Sequence, residues 1–143
     1  MEFQELSPYV FSDDGTLPPD HPVERFFRLL ARVFSERYGF NICHVDSLPE
    51  ILAAKGFINV QRKVYKLPIG GWPKDKQLNM LGQCFRVILC DFVTAAAAKP
   101  FSQAGFDPSE TEALFREIQS MSDNRRIHAY MQVHFIMAQK PPT

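Results

Sequence analysis

The residues best suited to acid–base chemistry in this sequence are a pair of aspartates and a set of histidines. Asp13 and Asp14 stand side by side in the run SDDGT, where an aspartate side chain can instead bond the backbone ahead of Gly15 and form a turn. His21, before Pro22, could act as a general base because an imidazole titrates near neutral pH, or it could start a helix. Chemistry and local structure are both open for these three residues.

The remaining histidines give no metal-binding pattern. His128 and His134 are six residues apart on a predicted strand, a separation of about 20 Å, so they cannot ligate one ion. His44 lies beside Cys43 but lacks a second pair of ligands at zinc spacing. We therefore expect no metal site, and the sequence shows neither a serine nucleophile elbow nor a phosphate-binding loop.

The single tryptophan lies in the run KLPIGGWPKDKQLNMLG. Pro68 and Pro73 restrict the backbone there, whereas Gly70 and Gly71 permit a reversal. Trp72 is either a packing anchor beneath this turn or the wall of a pocket that stacks an aromatic substrate. The two glycines lack the GxGxG pattern and are a poor candidate for a cofactor cradle.

Composition limits the class of protein. The 143 residues are 45% hydrophobic and 13% aromatic, enough to bury one core, so a single domain is expected. Sixteen basic residues balance sixteen acidic ones, which argues against nucleic acid or a membrane surface as the partner. Three cysteines without CxxC spacing favour reduced thiols and a cytoplasmic protein, with the nucleus as the alternative compartment.

Hydrophobic periodicity predicts three strands and four helices, the composition of an α/β protein. Turn residues indicate a long loop from Ser7 to Pro22, with four prolines and three aspartates, and Lys99-Pro100 is expected to stop the third helix. The predicted elements are a strand over 1–6, helices over 23–38 and 47–56, a strand over 57–67, helices over 78–98 and 107–121, and a strand over 127–139.

Four runs of the sequence resemble segments of one known family. GFINVQRKVYKLPIGGWPKDKQLNMLG resembles the hallmark segment of fungal LaeA-like S-adenosylmethionine (SAM)-dependent methyltransferases, and EFQELSPYVFSDDGTLPPD is similar to the strand and loop with the family's sDDGT motif. DPSETEALFREI and IHAYMQVHFIMAQKP are similar to its terminal helix and last strand. The resemblance covers nearly the whole chain.

The resemblance implies a partial class I, Rossmann-like methyltransferase fold. This chain would supply the last three of seven strands as a mixed sheet in the order fifth, seventh, sixth, with about four helices, so residues 1–143 correspond to the C-terminal portion of the domain. The N-terminal SAM-binding half would be absent, and we expect no cofactor for this chain alone. The family's substrate pocket would be lined here by Tyr9, Asp13, Asp14, His21 and Trp72.

The resemblance also implies an open sheet edge along Glu2–Leu6, where a fourth strand would pair. Unpaired edges promote association, so we expect a homodimer or a partner chain at this strand. Three functions are left open: a truncated methyltransferase-like protein of fungal secondary metabolism without autonomous methyl transfer, a cofactor-free cyclase or isomerase with a small-molecule substrate, and a non-catalytic interaction module.

Overall fold

The fold is an α/β arrangement built on a three-stranded sheet, and a computed structural model describes it for residues 1–142. The elements in chain order are β1 (Glu2–Phe11), α1 (Pro22–Tyr38), α2 (Leu48–Ala54), β2 (Ile58–Pro68), α3 (Lys76–Gln103), α4 (Pro108–Asp123) and β3 (Tyr130–Gln139).

The last strand occupies the centre of the sheet. The order is β1-β3-β2, and both outer strands pair antiparallel with β3, so that β1 and β2 run in the same direction. Phe135 of β3, for example, lies opposite Gln4 on one side and Lys63 on the other. The order expected for the fifth, seventh and sixth family strands is confirmed, but the three strands form an antiparallel sheet and not the mixed sheet expected, because both pairings are antiparallel.

The first strand is longer than the sequence predicted. Ser7–Phe11, assigned to a loop, continues β1, and the register against β3 shifts between Leu6 and Val10. Prolines are tolerated on edge strands and at such irregularities, because the missing N–H costs no bond to a neighbouring strand. The loop therefore begins only after Phe11.

Local residues set the end of α1 and the start of α4. Gly39 ends α1 with a left-handed φ of 63°, and Asp107 caps α4 by accepting from the N–H of Ser109 at 2.7 Å. Ser47 does not cap α2, because its backbone is already helical and its hydroxyl donates to the carbonyl of His44.

The third helix does not stop at Lys99-Pro100, which corrects another expectation, because α3 continues through Pro100 to Gln103. Phe101, just past the proline, is 1% exposed and stacks on Phe106 at 4.9 Å between ring centres. Burial of a phenylalanine side chain contributes roughly 2–3 kcal/mol, which helps to offset the cost of a proline inside the helix.

The main core lies between α1, α3 and α4 and one end of the sheet, and α2 packs a smaller cluster against the other face around Ile136. On α3 the buried residues recur every four positions, at Phe85, Leu89, Val93, Ala97 and Phe101. By length and composition this helix could cross a membrane, although core helices of globular proteins meet the same criteria. Its buried stripe belongs to the core.

Two glycines bring the turn after β2 against the helices. A Cβ at Gly82 of α3 would overlap the carbonyl oxygen of Gly70, and a Cβ at Gly70, whose φ is 84°, would overlap the carbonyl oxygen of Ser122 in α4. The N–H of Gly70 donates to the carbonyl of Gly82 at 3.1 Å. The turn that carries Trp72 is thus held by backbone contact.

This close approach makes Gly82→Ala destabilising. At an open helical position the exchange would add about 1 kcal/mol of helix propensity, whereas here we expect a loss of about 2 kcal/mol, because the backbone must move. Urea unfolding measures the difference, with Met80→Ala, an exposed change two residues away on the same helix, as the control expected to stay within about 0.5 kcal/mol. A stabilised Gly82→Ala variant would contradict the close packing.

Candidate functional site at the carboxyl ends of the outer strands

Several polar residues lie together at one edge of the sheet, the edge that the carboxyl ends of β1 and β2 form. Because β1 and β2 run in the same direction, the loop after Phe11 and the turn after Pro68 lie at the same edge, where β3 begins with Tyr130. In open α/β sheets, ligands bind outside the carboxyl ends of the strands. This edge is therefore the candidate site.

Asp14 organises the loop after β1. Its carboxylate accepts hydrogen bonds from the hydroxyl of Ser12 at 2.8 Å and from the N–H and hydroxyl of Thr16 at 3.1 and 2.8 Å. The same carboxylate lies 2.5 Å from Nδ1 of His128. Bonds from Thr16, then Ser12, then His128 hold the pKa of Asp14 well below its usual range. Asp14 is thus a turn former that also pairs with a histidine.

Three contacts hold His128 in place, two to its ring and one to its backbone. Besides the contact with Asp14, its N–H backbone group donates to the Thr16 hydroxyl at 2.9 Å, and its ring stacks on Trp72 with 4.9 Å between centres. Trp72 itself is fixed because its Nε1 donates to the carbonyl of Ala129 at 2.9 Å. Trp72 therefore anchors its own turn by packing beneath it, and its ring covers one face of the His128 ring.

The arrangement suits proton transfer. A carboxylate at Nδ1 favours the tautomer with the proton on that nitrogen, which leaves Nε2 as the acceptor. Among residues 1–142 no side chain or backbone group hydrogen-bonds Nε2 of His128, and the side chain is 38% exposed. Asp14 and His128 thus form a dyad with an accessible basic nitrogen.

Asp13 belongs to a second group at the same edge. It accepts from the Tyr130 hydroxyl at 2.8 Å and pairs with the ammonium group of Lys66, which lies 4.8 Å from the centre of the Tyr130 ring. Lys66, followed by Tyr130, lowers the pKa of Asp13, and Asp13 raises the pKa of Lys66. The two adjacent aspartates therefore have different partners. Asp13 pairs with the ammonium group of Lys66, and Asp14 pairs with the imidazole of His128.

Two predicted site residues make their contacts elsewhere. Tyr9 is 42% exposed on β1 and lines a shallow depression with Glu24 and Cys43. His21 is 1% exposed at the start of α1, where its Nδ1 accepts from the N–H of Val23 at 3.3 Å. Burial lowers the pKa of His21 to about 4, so a helix-starting role describes it better than a base at the loop edge.

Sequence reasoning missed His128, Lys66 and Tyr130. His128 was considered only as a metal ligand and rejected, although its place just before the last strand was a usable signal. If that strand lies between the other two, its first residues must meet both carboxyl ends, and therefore Asp13, Asp14 and Trp72.

Three strands in this order, with helices on both faces and polar groups at the carboxyl ends, define part of an α/β methyltransferase-like fold. The chain is 32% identical over 142 residues to methyltransferase pytC of Aspergillus terreus, 28% to the secondary metabolism regulator LAE1 of Cochliobolus heterostrophus and 27% to the probable methyltransferase tdiE of Emericella nidulans. It is therefore homologous to the C-terminal part of fungal LaeA-like methyltransferases.

Each match covers 99% of this chain but only 44%, 46% and 44% of the three relatives, so the chain spans less than half their length. No domain-family profile matches the chain, and no solved structure matches it. Among residues 1–142, no three histidine, cysteine or acidic side chains are grouped so that they could hold a metal ion.

Replacing the carboxylate tests the dyad directly. In the unaltered protein we expect the His128 proton on Nδ1, and in Asp14→Asn we expect it to move to Nε2, the tautomer that free histidine prefers. Two-bond hydrogen–nitrogen NMR correlations at about pH 8 distinguish these forms. Asp13→Asn, which alters the neighbouring carboxylate, should leave the His128 pattern unchanged. A proton on Nε2 in the unaltered protein would rule out the dyad.

Buried histidines should make the fold acid-sensitive. The folded-state pKa of His21 is about 4 against 6.5 when unfolded, so its contribution to stability is complete above pH 6.5 and is lost as the pH falls to about 4. The loss is about 3 kcal/mol in the free energy of unfolding. His21→Asn, which keeps a capping side chain, should remove most of this dependence in urea titrations. His134, whose pKa burial also lowers, accounts for a residual slope.

Proposed function

We propose that this chain is the substrate-side part of a SAM-dependent, LaeA-like methyltransferase and that residues 1–143 alone do not transfer a methyl group. The observation that carries the proposal is the extent of the matches, which take in 99% of this chain but less than half of each relative. The relatives are methyltransferases and regulators of secondary metabolism, and we infer a role in fungal secondary metabolism from them.

The described residues do not fit SAM. A nucleotide-like cofactor needs a glycine turn whose backbone is open to it. The adjacent glycines Gly70 and Gly71 are instead packed against Ser122 of α4 and against Gln83 and Arg125. Gly15 has open space around it, but it follows two carboxylates already engaged with Lys66 and His128. The donor site would therefore come from a further segment or from another chain.

The polar edge supports the assignment of the substrate side. His128, Asp14, Asp13 and Lys66 present a base, two carboxylates and an ammonium group within one loop cluster, with Trp72 beside them. Such a set can orient a small polar acceptor and accept its proton. This is the chemistry a methyl acceptor requires of the protein, whichever polypeptide holds the donor.

The dyad also supports a second candidate, a cofactor-free isomerase or cyclase. Nε2 of His128 would take a proton from one atom of a substrate and return it to another, while the Asp14 carboxylate stabilises the imidazolium. No oxidant, reductant or donor is consumed in that step. This candidate requires turnover without SAM, which separates it from the first.

Calorimetric titration of the purified chain with SAM, together with its native mass, tests the proposal. We expect no binding heat at protein concentrations of about 10–100 μM, where a Kd in the micromolar range would be visible. A full-length methyltransferase titrated in parallel confirms that the donor is intact. Micromolar binding of SAM by a monomer would overturn the claim that this chain lacks the donor site.

A further inference from the structure

Two exposed arginines lie beside the dyad. The guanidinium group of Arg125 lies against the turn after β2, with Nη2 3.3 Å from the position that a Cβ on Gly71 would take. Gly71 precedes Trp72, whose ring stacks on the His128 ring with 4.9 Å between centres. Arg126 is two residues before His128, so their two Cα atoms are at most about 7 Å apart. Both arginines are thus next to residues of the candidate site.

The carboxylates around these arginines already have other partners. Asp123, at the end of α4, pairs with Arg86 at 2.6 Å. At the loop after β1, Asp13 pairs with Lys66, and the dyad's own carboxylate pairs with His128. Among residues 1–142 neither of the two arginines forms an ion pair. Their positive charge is therefore not cancelled locally, although the whole chain has as many acidic as basic residues.

Two lysines add positive charge where α3 starts. Lys74 and Lys76 flank Asp75, whose carboxylate accepts from the N–H of Leu78 at 2.9 Å as the cap of the helix. Both lysines are exposed, and within the described part of the chain neither pairs with a carboxylate. The run 74–76 directly follows Pro73 of the same turn and is positive on balance.

This group of cations is remote from the uncovered side of β1. The turn that holds Trp72 follows β2, and the central strand β3 separates β2 from β1. The turn is also packed against α3 and α4 through the backbone contacts of Gly70. A further segment that paired with Glu2–Leu6 would lie on the other side of β3, so the charge at this turn does not depend on whether such a segment is present.

We propose that the molecule bound beside the dyad is a small carboxylic acid, whose carboxylate pairs with Arg125 and Arg126. A guanidinium group binds a carboxylate through two parallel hydrogen bonds, and uncancelled positive charge attracts anions to this end of the sheet. The atom that gives up a proton then lies near Nε2 of His128. This inference rests on the proposed function, in which the edge is the substrate side, and it names the class of substrate.

Binding of para-hydroxybenzoate, compared with the uncharged para-hydroxybenzamide, tests the proposal. The two probes share a ring and a hydroxyl group and differ in the carboxylate. The Nε1–H of Trp72 gives one NMR signal because the chain has one tryptophan, so its shift reports binding at this site. We expect the affinity for the benzoate to be at least about tenfold higher than that for the benzamide.

Variants of single cations provide the controls. Arg125→Gln and, separately, Arg126→Gln should each weaken binding of the benzoate by about threefold or more and leave binding of the benzamide unchanged. Both side chains are exposed, so the fold should tolerate either change. Lys140→Gln removes an exposed lysine beyond the opposite end of β3 and should alter neither affinity.

Three results would overturn the proposal. They are no shift of the Trp72 signal with the benzoate, equal affinities for the two probes, or losses with Arg125→Gln no larger than with Lys140→Gln. The last result would mean that positive charge anywhere on the surface attracts the probe. SAM is absent from this experiment, so failure here would leave the claim of a missing donor site intact, whereas binding of SAM would contradict that claim without changing the class of substrate.

Discussion

The central position of β3 is the constraint on which the rest of this structure depends. A strand that runs antiparallel to both neighbours forces β1 and β2 to run in the same direction. Their carboxyl ends therefore meet at one edge, and the residues that lead into β3 meet them there. The pairing of Asp14 with His128 and that of Asp13 with Tyr130 are direct consequences of this strand order.

The same constraint leaves each outer strand with one free side among the described residues. With β3 in the middle, β1 has a paired side and a free side, and nothing among residues 1–142 covers its outward groups at Glu2–Leu6. Beside β1, an apolar groove between Leu6 and the helices α1 and α3 is also uncovered. The exposed side chains of Ile88 and Phe92 in α3 therefore lie next to unpaired backbone. The polar site at the carboxyl ends of β1 and β2 and the apolar groove beside β1 are thus two separate surfaces with different chemistry.

Much of this fold could be predicted from the sequence, because residues that start and end helices are easy to recognise in it. Gly39 and Asp107 mark helix ends by local chemistry that needs no tertiary information. The failures are places where packing decides. Burial of Phe101 carries α3 past Pro100, and a register shift lets β1 continue through Pro8. Of the residues in the candidate site, Asp13, Asp14 and Trp72 are signalled by their loops, but His128 meets them only through the strand order.

Backbone NMR contacts around Phe135 test this strand order most directly. A non-bonded antiparallel pair brings its two α-hydrogens together, so we expect an α–α contact between Phe135 and Gln4. On its other side Phe135 forms a bonded pair with Lys63, which predicts a contact between their amide hydrogens. Contacts from Phe135 to only one of these residues would place β3 at an edge and remove the basis for the site.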